Sequence, residues 1–183
     1  MHTISTKVIA ISGASGAGKT TVVNELAKLF NCPSLLFDDH VEHNTYPENM
    51  KAWYEEGADV SQIKTVTMLS KLDALLEDEP KFIFIEEPFG RQRACIGPKV
   101  DYVVLLDIPL ELCLARIIQR NIEQSVKFST HSIKSYLSKY EDHLREIYQG
   151  CVQSVRNNCD LIINSKGSVT SIVNEIISEL PTG

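Results

Sequence analysis

The run VIAISGASGAGKTT, Val8 to Thr21, joins a short apolar stretch to a glycine-rich turn and then to the start of a helical pattern. Within it Gly13, Ala14, Ser15, Gly16, Ala17, Gly18, Lys19 and Thr20 fit G-x-x-x-x-G-K-[ST], in the strand–turn–helix setting that the motif requires. Glycines let such a turn curl until successive N–H groups point at a β-phosphate, and the following helix adds the partial positive charge of its N-terminus. Lys19 brings a full charge to the β- and γ-phosphates, the Thr20 hydroxyl suits Mg²⁺, and Thr21 completes the cofactor-binding run. ATP with Mg²⁺ is therefore the expected ligand, and a glycine-rich turn that merely caps a helix is the blander alternative.

Outward from this turn, short apolar runs alternate with helical patterns. VIAIS (Val8 to Ser12), SLLFD (Ser34 to Asp38), FIFIE (Phe82 to Glu86), YVVLLD (Tyr102 to Asp107) and LIIN (Leu161 to Asn164) read as strands buried on both faces. After Ser132, apolar residues recur at three- and four-residue steps from Ile133 to Val155, the pattern of one long helix. Strands separated by helices imply crossovers and an α/β fold: a doubly wound, five-stranded parallel sheet with a helical lid, in one domain over residues 1–183. Two segments break the alternation, about 40–79 and about 121–132. On the carboxyl edge of such a sheet they are natural walls and lids, the first for an acceptor and the second for a closing cap.

Composition narrows the partners. At 183 residues, 43% hydrophobic and 23% charged, the chain has the profile of a soluble globular protein, and a formal charge of −6 argues against unaided binding to nucleic acid or anionic membrane. Five dispersed cysteines, Cys32, Cys95, Cys113, Cys151 and Cys159, lack paired spacing, so reduced thiols in a cytoplasm are expected. The amino terminus has too short an apolar run for a signal peptide, and no segment approaches the ~20 apolar residues that span a bilayer.

A bound triphosphate can serve a switch, a motor or a transferase, and the carboxylates separate these. Asp38 and Asp39 fall at the end of the second strand beside the cradle, where one of them can accept a proton from a substrate hydroxyl; a turn or helix-capping pair is the alternative. Glu86 and Glu87 end the third strand, where an acidic side chain can hold Mg²⁺ directly or through water, and Asp38 is a further candidate at the metal. Asp107 is a rival for that place, although Pro109 makes it resemble a helix cap. Arg116 and Arg120, four apart on one helix face, suit an electrostatic clamp on transferring phosphate, with ordinary surface arginines as the alternative.

GASGAGKTT, FDDH, FIFIEEPF, LARIIQRN and CDLIIN, in this order, resemble the uridine kinase and nicotinamide riboside kinase group of small P-loop kinases. That group shows D-D-F-[FY] after strand two, E-G after strand three, L-A-R-R-x-x-R-D on the lid helix and A-D-x-I-I near the end. The resemblance implies that Asp38 activates a substrate hydroxyl, that Glu86 is the magnesium-linked acid, and that Arg116 and Arg120 are lid arginines. It also departs from the pattern: His40 and Val41 replace the aromatic pair, Glu87 the glycine, Ile117 the second lid arginine and Asn121 the lid aspartate, while Lys127 is the only cation in IEQSVKFSTHS.

The insertion carries the candidate acceptor contacts. Tyr46, Trp53 and Tyr54 can stack on a planar base or pack the insertion's own helices, Asp39 is a further substrate-binding candidate, and Arg91 and Arg93, beyond the insertion, can meet polar or anionic groups or hold structure. His40, Glu42 and His43 beside the Asp pair match no zinc spacing. The reading is thus an ATP- and Mg²⁺-dependent kinase, monomer or homodimer, acting on a hydroxyl of a small metabolite: a nucleoside or nucleoside-like riboside. Against it stand a kinase for a nucleoside monophosphate, vitamin precursor or sugar acid, and a regulatory P-loop NTPase, although no N-K-x-D guanine-reading segment is present.

Overall fold

The structure, a computed structural model, describes residues 5–123, 130–164 and 167–181. Its sheet has five parallel strands in the order β2-β3-β1-β4-β5: β1 Lys7–Ser12, β2 Ser34–Leu35, β3 Phe82–Glu86, β4 Tyr102–Leu106 and β5 Leu161–Ile163. Apolar residues at consecutive positions bury both faces, as a parallel sheet covered on each side requires. Ile9, Ile11, Phe82 and Phe84 face one layer with α1 (Lys19–Phe30) and α7 (Val169–Glu179). Val8, Ala10, Ile83 and Ile85 face the other, which includes residues of α3 (Val66–Glu77) and α6 (Arg145–Arg156). The register sets Ile11 beside Glu86, so the end of β3 arrives next to the turn that leaves β1.

The insertion folds as α2 (Met50–Glu55), a 3₁₀ turn (Val60–Gln62) and α3. Asn49 caps α2 by accepting from Ala52 N at 3.0 Å. Between β4 and β5 lie α4 (Leu110–Glu123), α5 (Thr130–Lys139) and α6. Of the expected lid, residues 121–123 end α4 and 130–132 begin α5, while Lys127 lies outside the described residues. Among the described residues, no helix is long and apolar enough to cross a membrane.

Two expected elements differ. The second strand stops at Leu35, and Phe37–His40 form a 3₁₀ turn in which Phe37 dives into the core at 1% exposure, so the chain cannot continue as ladder. The expected single helix after Ser132 is divided: a π-helical turn, Tyr140–Leu144, separates α5 from α6. Such turns shift the register of every side chain that follows.

Candidate functional site

The glycine-rich turn closes on itself through Ala17 N to Ala14 O at 3.1 Å, and Gly18 adopts a left-handed conformation before Lys19 opens α1. Gly16 has φ +83°, and a Cβ there would overlap the Cys113 carbonyl of α4. Only glycine meets both demands. Lys19 Nζ, buried, donates to Ala14 O at 3.0 Å and stands 3.6 Å from Glu86 Oε1. The Thr20 hydroxyl donates to Glu86 Oε2 at 2.9 Å. The hydroxyl and carboxylate adjacent at the foot of the cradle are a donor set that fits a hard, oxygen-preferring cation such as Mg²⁺.

Around these groups lies a polar cavity of about 210 Å³, bordered by Ser15, Gly16, Gly18, Lys19, Thr20, Thr21, Asp38, Glu86, Arg116 and Arg120. Arg116 Nη1 reaches the carbonyls of Gly16 and Ala17 at 3.4 and 3.3 Å, so α4 brings this side chain to the cradle itself. Both sequence-predicted lid arginines thus border the same cavity.

A second cleft, about 170 Å³, adjoins the first and is mostly apolar. Phe37, Tyr46, Met50, Trp53, Phe89, Ile147 and Cys151 supply its walls, and Ser15, Lys19, Asp38 and Glu86 belong to both spaces. Asp38, exposed on its 3₁₀ turn, therefore stands at the junction, whereas its neighbour Asp39 borders neither. Burial first, and then the Asp38 carboxylate, push the Tyr46 phenol up to about 12. Trp53 is core and wall at once: 3% exposed, it donates Nε1 to Asp59 O at 2.9 Å and still borders the cleft.

Several expected positions are turned to other tasks. Arg91 pairs with Asp160 at 2.7 Å and donates to Asp101 O at 2.8 Å and Asn158 O at 3.0 Å. Asp101 and Asp160 immediately precede β4 and β5, so Arg91 is a clip on the edge of the sheet opposite the cradle. Arg93 is 1% exposed and bound to Glu87, which corrects its reading as an acceptor contact. Asp107 pairs with Arg156 at 2.6 Å and borders neither cleft, so it does not compete with Glu86. His40 is buried with Nδ1 3.1 Å from the Thr67 hydroxyl.

Other residues were not visible as site residues. Tyr148 lines the apolar cleft, as does Ser15 of the cradle, and its hydroxyl lies 3.4 Å from that of Tyr136; burial raises its phenol. In the sequence it is one apolar beat in a helical rhythm, as are Ile147 and Cys151. Phe37 and Phe89 lie inside the quoted motifs, one residue from Asp38 and two from Glu87, and only that nearness hints at a wall.

The architecture is shared with solved kinases. A shikimate kinase from Acinetobacter baumannii in complex with shikimate superposes with a TM-score of 0.52 at 20% identity, covering 94% of this chain and 91% of the other. A gluconokinase from Sinorhizobium meliloti 1021 does so with a TM-score of 0.54 at 15% identity, covering 94% and 90%. The fold and cradle are those of the P-loop class, and with the matches that follow they support a small-molecule kinase. Within that class the chain is similar to uridine kinases. The model of the phosphoribulokinase/uridine kinase family matches residues 8–71, and a uridine kinase from Staphylococcus aureus (strain JH9) is 24% identical over 189 aligned positions, 89% of each chain.

Proposed function

We propose that the protein transfers the terminal phosphoryl group of ATP to a hydroxyl of a small, uncharged metabolite with a planar ring, a nucleoside or nucleoside-like riboside. The observation that carries this reading is the junction: Asp38, Lys19 and Glu86 belong at once to the polar cavity beneath the glycine-rich turn and to the aromatic cleft. A hydroxyl presented from the cleft meets Asp38 as proton acceptor, and the phosphate chain approaches from the cavity, so the two reactants need only be held in line. Thr20 and Glu86 would hold Mg²⁺, which offsets phosphate charge when bound. Arg116 and Arg120 supply positive charge from the α4 side.

Among the described residues, the cleft walls carry no Lys or Arg besides Lys19, which favours an uncharged acceptor. Arg91 and Arg93, the candidates for gripping a carboxylate or phosphate, are committed elsewhere, and among the described residues Lys19 is the only Lys or Arg on the cleft, at its junction with the cradle. Nucleoside monophosphates and sugar acids therefore fit less well than nucleosides. Tyr46 and Trp53 offer ring faces to a base. Dispersed free cysteines are in keeping with work in a reducing cytoplasm.

The test is ADP formation from Mg-ATP across a panel of nucleosides, nucleoside monophosphates and sugar acids, beginning with uridine. Stimulation by a nucleoside, and a fall in kcat of about 10²–10⁴-fold in Asp38→Asn with nucleotide affinity unchanged, is the expected result. If no acceptor accelerates turnover, the regulatory NTPase reading replaces this one. If Asp38→Asn is as active as the parent, the proton acceptor is another group.

A further inference from the structure

Glu87 and Arg93 border neither cleft, yet they touch Phe37 and Phe89 of the acceptor cleft's wall and the insertion just before α3. Arg93 Nε donates to Glu87 Oε1 at 3.1 Å and Nη2 to Oε2 at 2.5 Å, with both residues at 1% exposure or less. Arg93 Nη1 donates to the Thr65 hydroxyl at 2.8 Å and the Ile63 carbonyl at 3.4 Å, tying in the insertion just before α3. Its guanidinium carbon lies 5.2 Å from the centroid of the Phe37 ring, within cation–π reach, and Phe37 immediately precedes Asp38. Glu87 Oε1 accepts from Phe89 N at 3.3 Å, and the Glu87 carbonyl accepts from the Ser12 hydroxyl at 2.6 Å, beside the glycine-rich turn.

Removing two ionised groups from water costs more than their attraction commonly returns, and apolar side chains of similar volume would fill the space at least as well. What apolar filling cannot do is fix directions. A planar guanidinium with its fork filled holds four neighbours at set angles. We propose that Glu87 and Arg93 are positioning residues: they hold Phe37, and through it the Asp38 carboxylate, in register with Lys19 and Glu86, and pin the insertion to the same point. This rests on the reading of Asp38 as proton acceptor. It also gives a physical role to Glu87, which stands where the resembling kinases have glycine.

Arg93→Met, Glu87→Met and the double variant test it, with uridine and Mg-ATP as substrates, a fluorescent ATP analogue for nucleotide affinity, and the emission of Trp53, the single tryptophan and a wall of the cleft. Arg93→Met alone strands Glu87 and should lower Tm by about 10 °C, and the double variant should recover most of that. Yet kcat should stay about 10–100-fold down in both, with nucleotide affinity within about twofold, because stability returns and alignment does not. Trp53 emission should remain red-shifted in both. A double variant that regains kcat together with Tm overturns the proposal, since the pair would then only stabilise. If the parent does not turn over uridine, the choice of acceptor falls separately, and unchanged Trp53 emission and acrylamide quenching in the folded double variant overturns the positioning role without any acceptor. Should the double variant not fold, Arg93→Lys keeps the charge and loses the fork: the same fall in kcat is expected, and parental kcat overturns.

Discussion

The two halves of the site are built by different means. The nucleotide half is main chain: a turn with φ +83° at Gly16 and +99° at Gly18, its N–H groups backed by α1, with Lys19 and Thr20 already docked on Glu86. The acceptor half is side chain: rings from the 3₁₀ turn after β2, from α2 and from α6, with one buried ion pair, Glu87–Arg93, against Phe37. A main-chain site is fixed by a handful of contiguous residues. A side-chain site is fixed by contacts between residues far apart in sequence, and tolerates variation that changes what it binds without changing the fold.

Lys19→Ala breaks the comparison most severely. The substitution removes the charge meant for the phosphates and leaves the buried Glu86 carboxylate with only the Thr20 hydroxyl among its present polar partners. We expect kcat/KM to fall by at least about 10³-fold and binding of a fluorescent ATP analogue to weaken in parallel. An equilibrium titration that shows parental nucleotide affinity would mean that the cradle binds through backbone alone.

A pair of glycine substitutions sharpens the contrast with a smaller effect. Gly16→Ala places a Cβ against the Cys113 carbonyl in a backbone conformation that alanine resists. Tm should drop by about 8 °C and nucleotide affinity by at least about tenfold. Gly150→Ala, in α6 on the acceptor side, meets the Tyr54 side chain first, at 3.1 Å, with no positive φ to lose. A ring that can shift and the better helix propensity of alanine should keep Tm within about 3 °C of the parent. Equal effects from the two would contradict the division into main-chain and side-chain halves.

The same division explains what the sequence made legible. The cradle needs local geometry, and Gly13 to Thr20 announced it, as the alternating apolar runs announced the sheet and FIFIE announced Glu86 at the end of its third strand; that this strand lies beside β1 came only with the structure. Boundaries failed where tertiary packing overrode local pattern. Phe37 continues an apolar run but is pulled out of the ladder into the core, and a π turn interrupts an otherwise regular helical rhythm at Tyr140. Arg91 and Arg93 were legible as cations but not in their targets: Asp160 lies 69 positions from Arg91, and Thr65 lies 28 from Arg93. Tyr148 and Cys151 looked like core because they pack against it, and the same two side chains line the cleft from α6.

The smallest expected effect separates the halves by thiol chemistry. Burial pushes the thiols of Cys151 and Cys32 up to about 11 from an ordinary value of 9.0. Both are therefore protonated and slow toward iodoacetamide at neutral pH, and below pH 11 the thiolate fraction, and with it the rate, should rise about tenfold per pH unit. The folded values lie above the unfolded one, so the stability that burial of the thiols contributes is intact below about pH 9 and lost as pH rises toward 11. The two cysteines differ in place: Cys151 borders the acceptor cleft, whereas Cys32 follows α1 and packs against the core beneath it. Saturating uridine should slow alkylation of Cys151 by about fivefold or more and leave Cys32 unaffected, by simple occupancy of the cleft at a ligand excess of several Kd. Peptide-level mass spectrometry after timed alkylation reads both rates in one sample. Equal protection of the two would point to global stabilisation by the ligand, and protection of neither would place the acceptor outside the aromatic cleft.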